Sequence, residues 1–269
     1  MSTDVVRYEV IANVARITLN RPKSLNALNR ELLEELAHVA SRALVDTNVR
    51  AVVLTGEGRG FCAGGDVKAM AGGSFLGAAG NESPLEGALG GAAILHKAIA
   101  TLYRLPKPVI AAINGPVAGA GLGVAMACDI LWSAESASFS TAYTAIGLSP
   151  DGGTTHFLPR LVGPKMAAEL FFTSRKFDAQ EALRMGLVSR VLPDAELLPS
   201  AIALANTLAA GPTLAYASAK TLLRTSGQQP LESQMEDERL GIMRSTTTED
   251  FMRGVMAFAT GQKAEFAGK

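Results

Sequence analysis

The chain has 269 residues, of which 48% are hydrophobic and 19% charged, and its 25 basic and 25 acidic residues cancel. This composition excludes a disordered chain and supports a sizeable core. The zero balance supplies no global field for nucleic acid or an anionic membrane, so a phosphate-bearing ligand must meet a local site. The two cysteines, Cys62 and Cys128, have no metal-ligand spacing and read as free thiols of a reducing, cytoplasmic setting. Met1-Ser2-Thr3-Asp4 lacks the basic and apolar segments of a secretory signal, and the long apolar stretches are broken by glycines and Pro116, which argues against a membrane span.

In chain order, residues 8–11 and 15–19 read as two strands with Ala12-Asn13 at the turn. Asn29 caps a helix over 30–45, with Leu32, Leu33, Leu36, Val39, Ala40 and Leu44 at helical spacing. Residues 51–55 and 109–113 are fully apolar strands of the kind buried between helices. Residues 71–91, rich in Gly, Ala and Ser, read as a mobile loop beside a ligand site, followed by a helix over 92–105 that Pro106 stops. A short helix over 121–128 and a strand over 130–133 follow. The alternation predicts an α/β layered core. Past residue 201 the strand signals stop: 201–210, 213–225, 231–244 and 249–259 read as helices, with Thr246 and Glu249 as a capping box for the last. The division expected is a core over 1–200 and a helical oligomerisation region over 201–269.

Two glycine-rich segments follow buried strands. One is Gly60-Phe61-Cys62-Ala63-Gly64-Gly65-Asp66-Val67-Lys68; the other, Asn114-Gly115-Pro116-Val117-Ala118-Gly119-Ala120-Gly121-Leu122-Gly123, leads into a helix. Either alone reads as a tight turn. Small residues let backbone approach a ligand closely, and a helix start leaves N–H groups without partners, so each segment could bring one donor to a common point. Such a pair stabilises an oxyanion.

In this order the segments resemble the enoyl-CoA hydratase/isomerase (crotonase) family: an Ala-Gly-x-Asp after an aromatic residue, then an Asn-Gly-x-x-x-Gly-Gly-Gly stretch. Further matches are Leu19-Asn-Arg-Pro-Lys-Ser-Leu-Asn-Ala-Leu, Gly147-Leu-Ser-Pro-Asp-Gly-Gly-Thr with Leu158-Pro-Arg, Glu181-Ala-Leu-Arg-Met-Gly-Leu-Val, and Gly254-Val-Met-Ala-Phe258. The resemblance spans nearly the whole chain. It implies a ClpP/crotonase-like spiral of ββα units with a helical C-terminal region, an acyl-CoA thioester as ligand, and a homotrimer or homohexamer. It implies no cofactor, coenzyme A being part of the substrate, and no metal, nucleic acid or membrane.

Carried over by position, Gly65 and Ala120 resemble the two oxyanion donors; Ala120 stands where the family has glycine, which a backbone donor tolerates if φ is negative. Lys23, Ser24, Leu25, Ala63, Asp66, Val67, Lys68 and Phe258 resemble the walls of the CoA site, although Lys23 and Lys68 also read as ordinary surface charges. Family hydratases use two glutamates. This chain has Gly123 and Tyr143 at those places, and neither is a carboxylate base. Asp151 in Ser149-Pro150-Asp151-Gly152-Gly153 occupies the place of the catalytic Asp in family isomerases, those acting on phenylacetyl-CoA epoxides among them, with Ile146, Leu148, Phe157 and Leu158 as apolar neighbours. It also suits a plain turn aspartate.

Tyr143 offers a polar tip to the pocket. Glu82 and Glu86 read first as solvated loop residues. His38 reads as a helix-surface residue, His156 as a weak candidate, and none of the three histidines shows metal spacing. The expectation is an enoyl-CoA isomerase using Asp151 as acid and base. Rival readings are a hydratase with atypical groups, a reaction in which Asp151 attacks the substrate, and a catalytically weak acyl-CoA binding protein.

Overall fold

The computed structural model describes residues 5–71 and 83–269. Its main sheet runs β1 (Val6–Ile11), β2 (Val14–Leu19), β3 (Ala51–Gly56), β4 (Val109–Ile113), β6 (Ile130–Ala134) and β9 (Arg190–Leu192). The β1–β2 hairpin is antiparallel, turning at Ala12 and Asn13 with φ of 48° and 68°, and the remaining neighbours are parallel. A second sheet joins β5 (Val117–Ala118), β7 (Ser138–Ser140) and β8 (Phe177–Asp178). Helices α2 (Val67–Ala71), α5 (Thr154–Val162), α6 (Pro164–Thr173) and α7 (Ala179–Arg184) connect the strands, and four more follow β9, the layered α/β arrangement and helical C-terminal region that the resemblance implies.

The apolar strands are buried on both faces, as a parallel sheet between helices requires. Val52, Leu54, Val109 and Ala111 face one core, shared with α1 (Arg30–Val45), α3 (Pro84–Arg104) and α4 (Ala120–Met126). The alternate residues Val53, Ile110 and Ala112 face the other, closed by Leu197, Ala201, Ala205 and Ala209 of α8 (Asp194–Ala209). In α1, Asn29 accepts the Leu32 N–H at 3.0 Å. Its Leu32, Leu33 and Leu36 are fully buried, worth about 2 kcal/mol each. Leu44 turns to solvent instead, and Ala43 takes the inward place.

Three expectations change. Residues 84–91 are helical, because α3 starts at Pro84 behind the cap Ser83: Ser83 Oγ accepts the Glu86 N–H and Glu86 Oε2 accepts the Ser83 N–H. Glu86 is therefore a capping residue; Glu82 and the rest of the expected loop, 72–82, lie outside the described residues. The last helix, α11 (Glu249–Thr260), is capped by Thr248, which accepts from Phe251 N at 3.1 Å, whereas Thr246 donates back to Met243 O. The division at residue 200 falls inside α8, whose internal Pro199 hides its start and whose apolar side completes the sheet's second core.

Beyond α8, α9 (Thr213–Thr225) is tied to the core by buried charge. Lys220 meets Asp129 Oδ2 at 2.6 Å and donates to the Lys107 carbonyl at 3.0 Å; Lys107 in turn donates to the Ala43 and Asp46 carbonyls. Burial pushes the Asp129 carboxyl up and the Lys220 ammonium down from their ordinary ranges, and each partner offsets the other. Exposed apolar residues gather on α10 (Leu231–Ser245) and α11, including Leu231, Met235, Ile242, Met252 and Met256. Among the described residues no single helix is long and apolar enough to cross a membrane.

Candidate active site

The loop after β3 is held from two sides. On one, Ala63 N donates to Leu25 O at 3.0 Å, Leu28 N to Gly64 O at 2.7 Å and Asp66 N to Leu28 O at 3.1 Å. On the other, Cys62 N donates to Pro116 O and Ala118 N to Cys62 O. Asn26, fully buried, fastens the base: its Oδ1 accepts Arg21 N and its Nδ2 donates to the Gly60 and Glu57 carbonyls. The two glycine-rich segments are thus laced together backbone to backbone.

The N–H groups of Gly65 and Ala120 are left out of this lacing. Among the described residues, neither Gly65 N nor Ala120 N donates to a protein acceptor. Ala120 is the first residue of α4, and the positive φ of 50° falls on the preceding Gly119, so the alanine carries no left-handed strain. As the opening residue of a helix its N–H has no partner within the helix, and it sits at the positive end of the dipole.

Gly65 and Ala120 line one cavity of about 400 Å³, together with Ala63, Val67, Tyr143 and Asp151. Met70, Leu95, Ile146 and Leu148 add apolar wall. Among the described residues that line it, Asp151 is the only carboxylate. A larger hollow of about 730 Å³ lies against α9, but its acid, Asp129, is already bound to Lys220 and Arg224. Of the two, the smaller cavity has donors without a protein acceptor and a carboxylate whose Oδ2 makes no hydrogen bond to protein among the described residues, which is what a reaction centre needs.

Asp151 sits on a turn made by Gly152 and Gly153, with φ of 62° and 68°, values that suit glycine. The Asp151 carbonyl accepts from Tyr143 Oη at 2.9 Å, from Thr154 Oγ1 at 2.8 Å and from Thr154 N at 3.2 Å. Tyr143 therefore shapes the site differently from expectation: its ring lines the cavity while its hydroxyl braces the turn. Burial, and then the Asp151 charge, push that phenol far above its ordinary range, so it remains a neutral donor.

The turn also explains Gly123. A Cβ built there would lie 2.3 Å from Gly152 O. The backbone that presents Asp151 fills the space into which a longer residue at position 123 would project.

The carboxylate has a partner that sequence reading missed. His96 Nε2, on α3, lies 2.5 Å from Asp151 Oδ1. The two are 55 residues apart, and no local pattern links them; what the sequence offered was only that His96 follows Leu95, a cavity-lining residue. His38 is exposed on α1. His156 packs edge-on against Tyr103 and Phe157, its pKa lowered by burial and by Arg160.

The remaining expected residues divide. Lys23 and Lys68 are exposed and Ser24 is half-buried near the cavity loop's support. Leu25 contributes its carbonyl to that support. The Asp66 carboxylate is taken by Arg21 at 3.2 Å and by the Ala69 N–H at 3.2 Å, leaving it a structural anchor. Phe258 does not line this cavity; it borders a separate hollow with Leu214, Phe251 and Phe266, and is 91% exposed. Among the described residues, no three His, Cys, Asp or Glu side chains gather to hold a metal ion.

Comparison with known proteins agrees with this architecture. The family model described as enoyl-CoA hydratase/isomerase matches residues 9–269. A Rhodobacter capsulatus protein named probable enoyl-CoA hydratase is 37% identical, with all of both chains covered. The 1,2-epoxyphenylacetyl-CoA isomerase of Escherichia coli is 35% identical over 99% of each chain. The crystal structure of an enoyl-CoA hydratase from Bacillus anthracis superposes with a TM-score of 0.90 at 33% identity, covering 98% of this chain and 100% of that one. The chain belongs to the enoyl-CoA hydratase/isomerase family.

Proposed function

We propose that this protein isomerises an unsaturated acyl-CoA thioester, with Asp151 as both base and acid. The observation that carries the reading is a mainly apolar cavity lined by Gly65 and Ala120, whose N–H groups have no protein acceptor among the described residues, and by Asp151, the one carboxylate among the described residues that border it. Gly65 and Ala120 would donate to the thioester carbonyl oxygen and hold the negative charge that gathers there when a proton leaves the neighbouring carbon. Asp151 takes that proton and returns it to another carbon of the enolate, so the double bond moves and no water is added. Tyr143 and Thr154 hold the turn that aims the carboxylate.

On the coenzyme side, Ala63 and Val67 form wall, Leu25 and Ser24 frame the loop, and the exposed Lys23 and Lys68 would meet phosphate. Coenzyme A enters as part of the substrate and no further cofactor takes part. The exposed apolar residues of α10 and α11 support self-association as a homotrimer or a pair of trimers. Phe258 would then serve a neighbouring subunit's ligand rather than its own.

The hydratase names among the relatives favour a second reading, addition of water to a 2-enoyl-CoA. Against it stand Gly123 and Tyr143 in place of the hydratase carboxylates. Mass spectrometry of a panel of 3-enoyl-, 2-enoyl- and aryl-CoA thioesters separates the two. Products of unchanged mass with a shifted double bond support isomerisation. A gain of one water from crotonyl-CoA at about 10 per second or more refutes it.

A further inference from the structure

We infer that His96 is a proton relay between Asp151 and solvent water, so that the proton taken from the substrate exchanges before it is returned. This rests on the isomerase reading above. Asp151 lines the cavity; His96 does not, but its Nε2 touches Asp151 Oδ1 at 2.5 Å. The His96 side chain is 56% exposed and the Asp151 side chain 36%. The pair therefore spans the cavity wall, with the carboxylate on the substrate side and the imidazole on the water side. Among the described residues Asp151 Oδ2 makes no hydrogen bond to protein, which leaves one carboxylate oxygen for the substrate and the other for His96.

A carboxylate that needs only orienting is held as well by an amide. An imidazole ordinarily titrates between about pH 5 and 8, and so it also accepts and releases protons. The steps balance without any co-reactant but water. Asp151 takes the carbon-bound proton as the C–H electron pair passes into the enolate. The protonated carboxyl group then turns so that its new O–H meets His96 Nε2, which accepts the proton as the lone-pair nitrogen of a neutral imidazole protonated at Nδ1, restoring the carboxylate beside an imidazolium. The imidazolium loses a proton to water, regains one from water, and returns one to Asp151, which delivers it to the product carbon. His96 acts through Asp151 and is a positioning and relay residue, without contact to the substrate.

The test is isomerisation in D2O of a panel of short- and medium-chain 3-enoyl-CoA thioesters, with deuterium in the product read by mass spectrometry at low conversion. Wild-type product should carry solvent deuterium. His96→Gln keeps a hydrogen bond to Asp151 but has no titrating nitrogen: isomerisation should persist within about tenfold, while deuterium per turnover falls about fivefold or more. In His96→Ala, added imidazole should restore the deuterium content. A purely structural histidine would lower turnover and leave the deuterium fraction unchanged. Equal deuterium content in wild type and His96→Gln, deuterium-free wild-type product, or no response to imidazole overturns the relay while the isomerase reading stands. Absence of isomerisation by the wild type, or a product heavier by one water, overturns the isomerase reading and the relay with it.

Discussion

Gly123 offers a perturbation whose size follows from the geometry. An added methyl would sit 2.3 Å from Gly152 O and 3.1 Å from Gly152 C. Reaching a 3.0 Å separation takes a retreat of about 0.7 Å. Helix α4 is buried along its length, so the yielding element is the 151–153 turn. Overpacking of this kind costs about 1–3 kcal/mol, which lowers Tm by on the order of 2–10 °C in a chain this size. A carboxylate displaced by about 1 Å loses about 100-fold in rate. Gly123→Ala should therefore unfold earlier and isomerise far more slowly, with acyl-CoA affinity nearly unchanged because the Gly65 and Ala120 donors stay in place. Gly123→Glu places a hydratase-type carboxylate on the same collision and should fare worse; combined with Tyr143→Glu it should still not hydrate crotonyl-CoA. Thermal unfolding, isothermal binding and product assays read these effects. Wild-type Tm and turnover in Gly123→Ala, or crotonyl-CoA hydration by the double variant, would refute the reasoning.

Ala120→Pro removes one proposed oxyanion donor at the first helical position, where proline is well tolerated; it should keep its Tm and lose about 3 kcal/mol of transition-state stabilisation in kcat/KM, and a normal rate would exclude the donor. Lys220, 7% exposed, shares its charge with Asp129, so Lys220→Ala leaves that partly buried acid only the longer contact to Arg224 at 3.6 Å and the Val109 N–H and should cost about 2 kcal/mol or more in urea unfolding; a loss below about 1 kcal/mol counts against that pairing as the anchor of α9. Burial pushes the Cys62 thiol up to about 12 and raises Cys128 further. A raised thiol pKa keeps the group protonated through neutral pH, with about 0.01% thiolate at pH 8, so iodoacetamide should label neither cysteine in the native protein and both in guanidinium, as read from intact mass.

The buried strands and α1 were legible because their signals are local: unbroken apolar runs in β3 and β4, and Asn29 ahead of a helical stripe. The start of α3 was hidden by Gly87, Gly90 and Gly91, which argue for a loop; the capping pair Ser83 and Glu86 was the countervailing signal. Pro199 concealed the first turn of α8 in the same way. In the site, Gly65, Ala120 and Asp151 could be placed because each lies within a continuous motif. His96 could not, since its partner is brought to it only by the packing of α3 beside the Asp151 turn. Nor could the role of Gly123, which is set by the carbonyl of a residue in a different segment.

The central claim is that Asp151 moves a proton on an acyl-CoA held by Gly65 and Ala120. It is tested most directly by comparing wild type with Asp151→Asn on 3-enoyl-CoA substrates, following the double bond by product analysis and affinity by titration with a saturated acyl-CoA. The account predicts turnover lower by about 100-fold or more with affinity within a few-fold of wild type. Full isomerase activity in Asp151→Asn would contradict it.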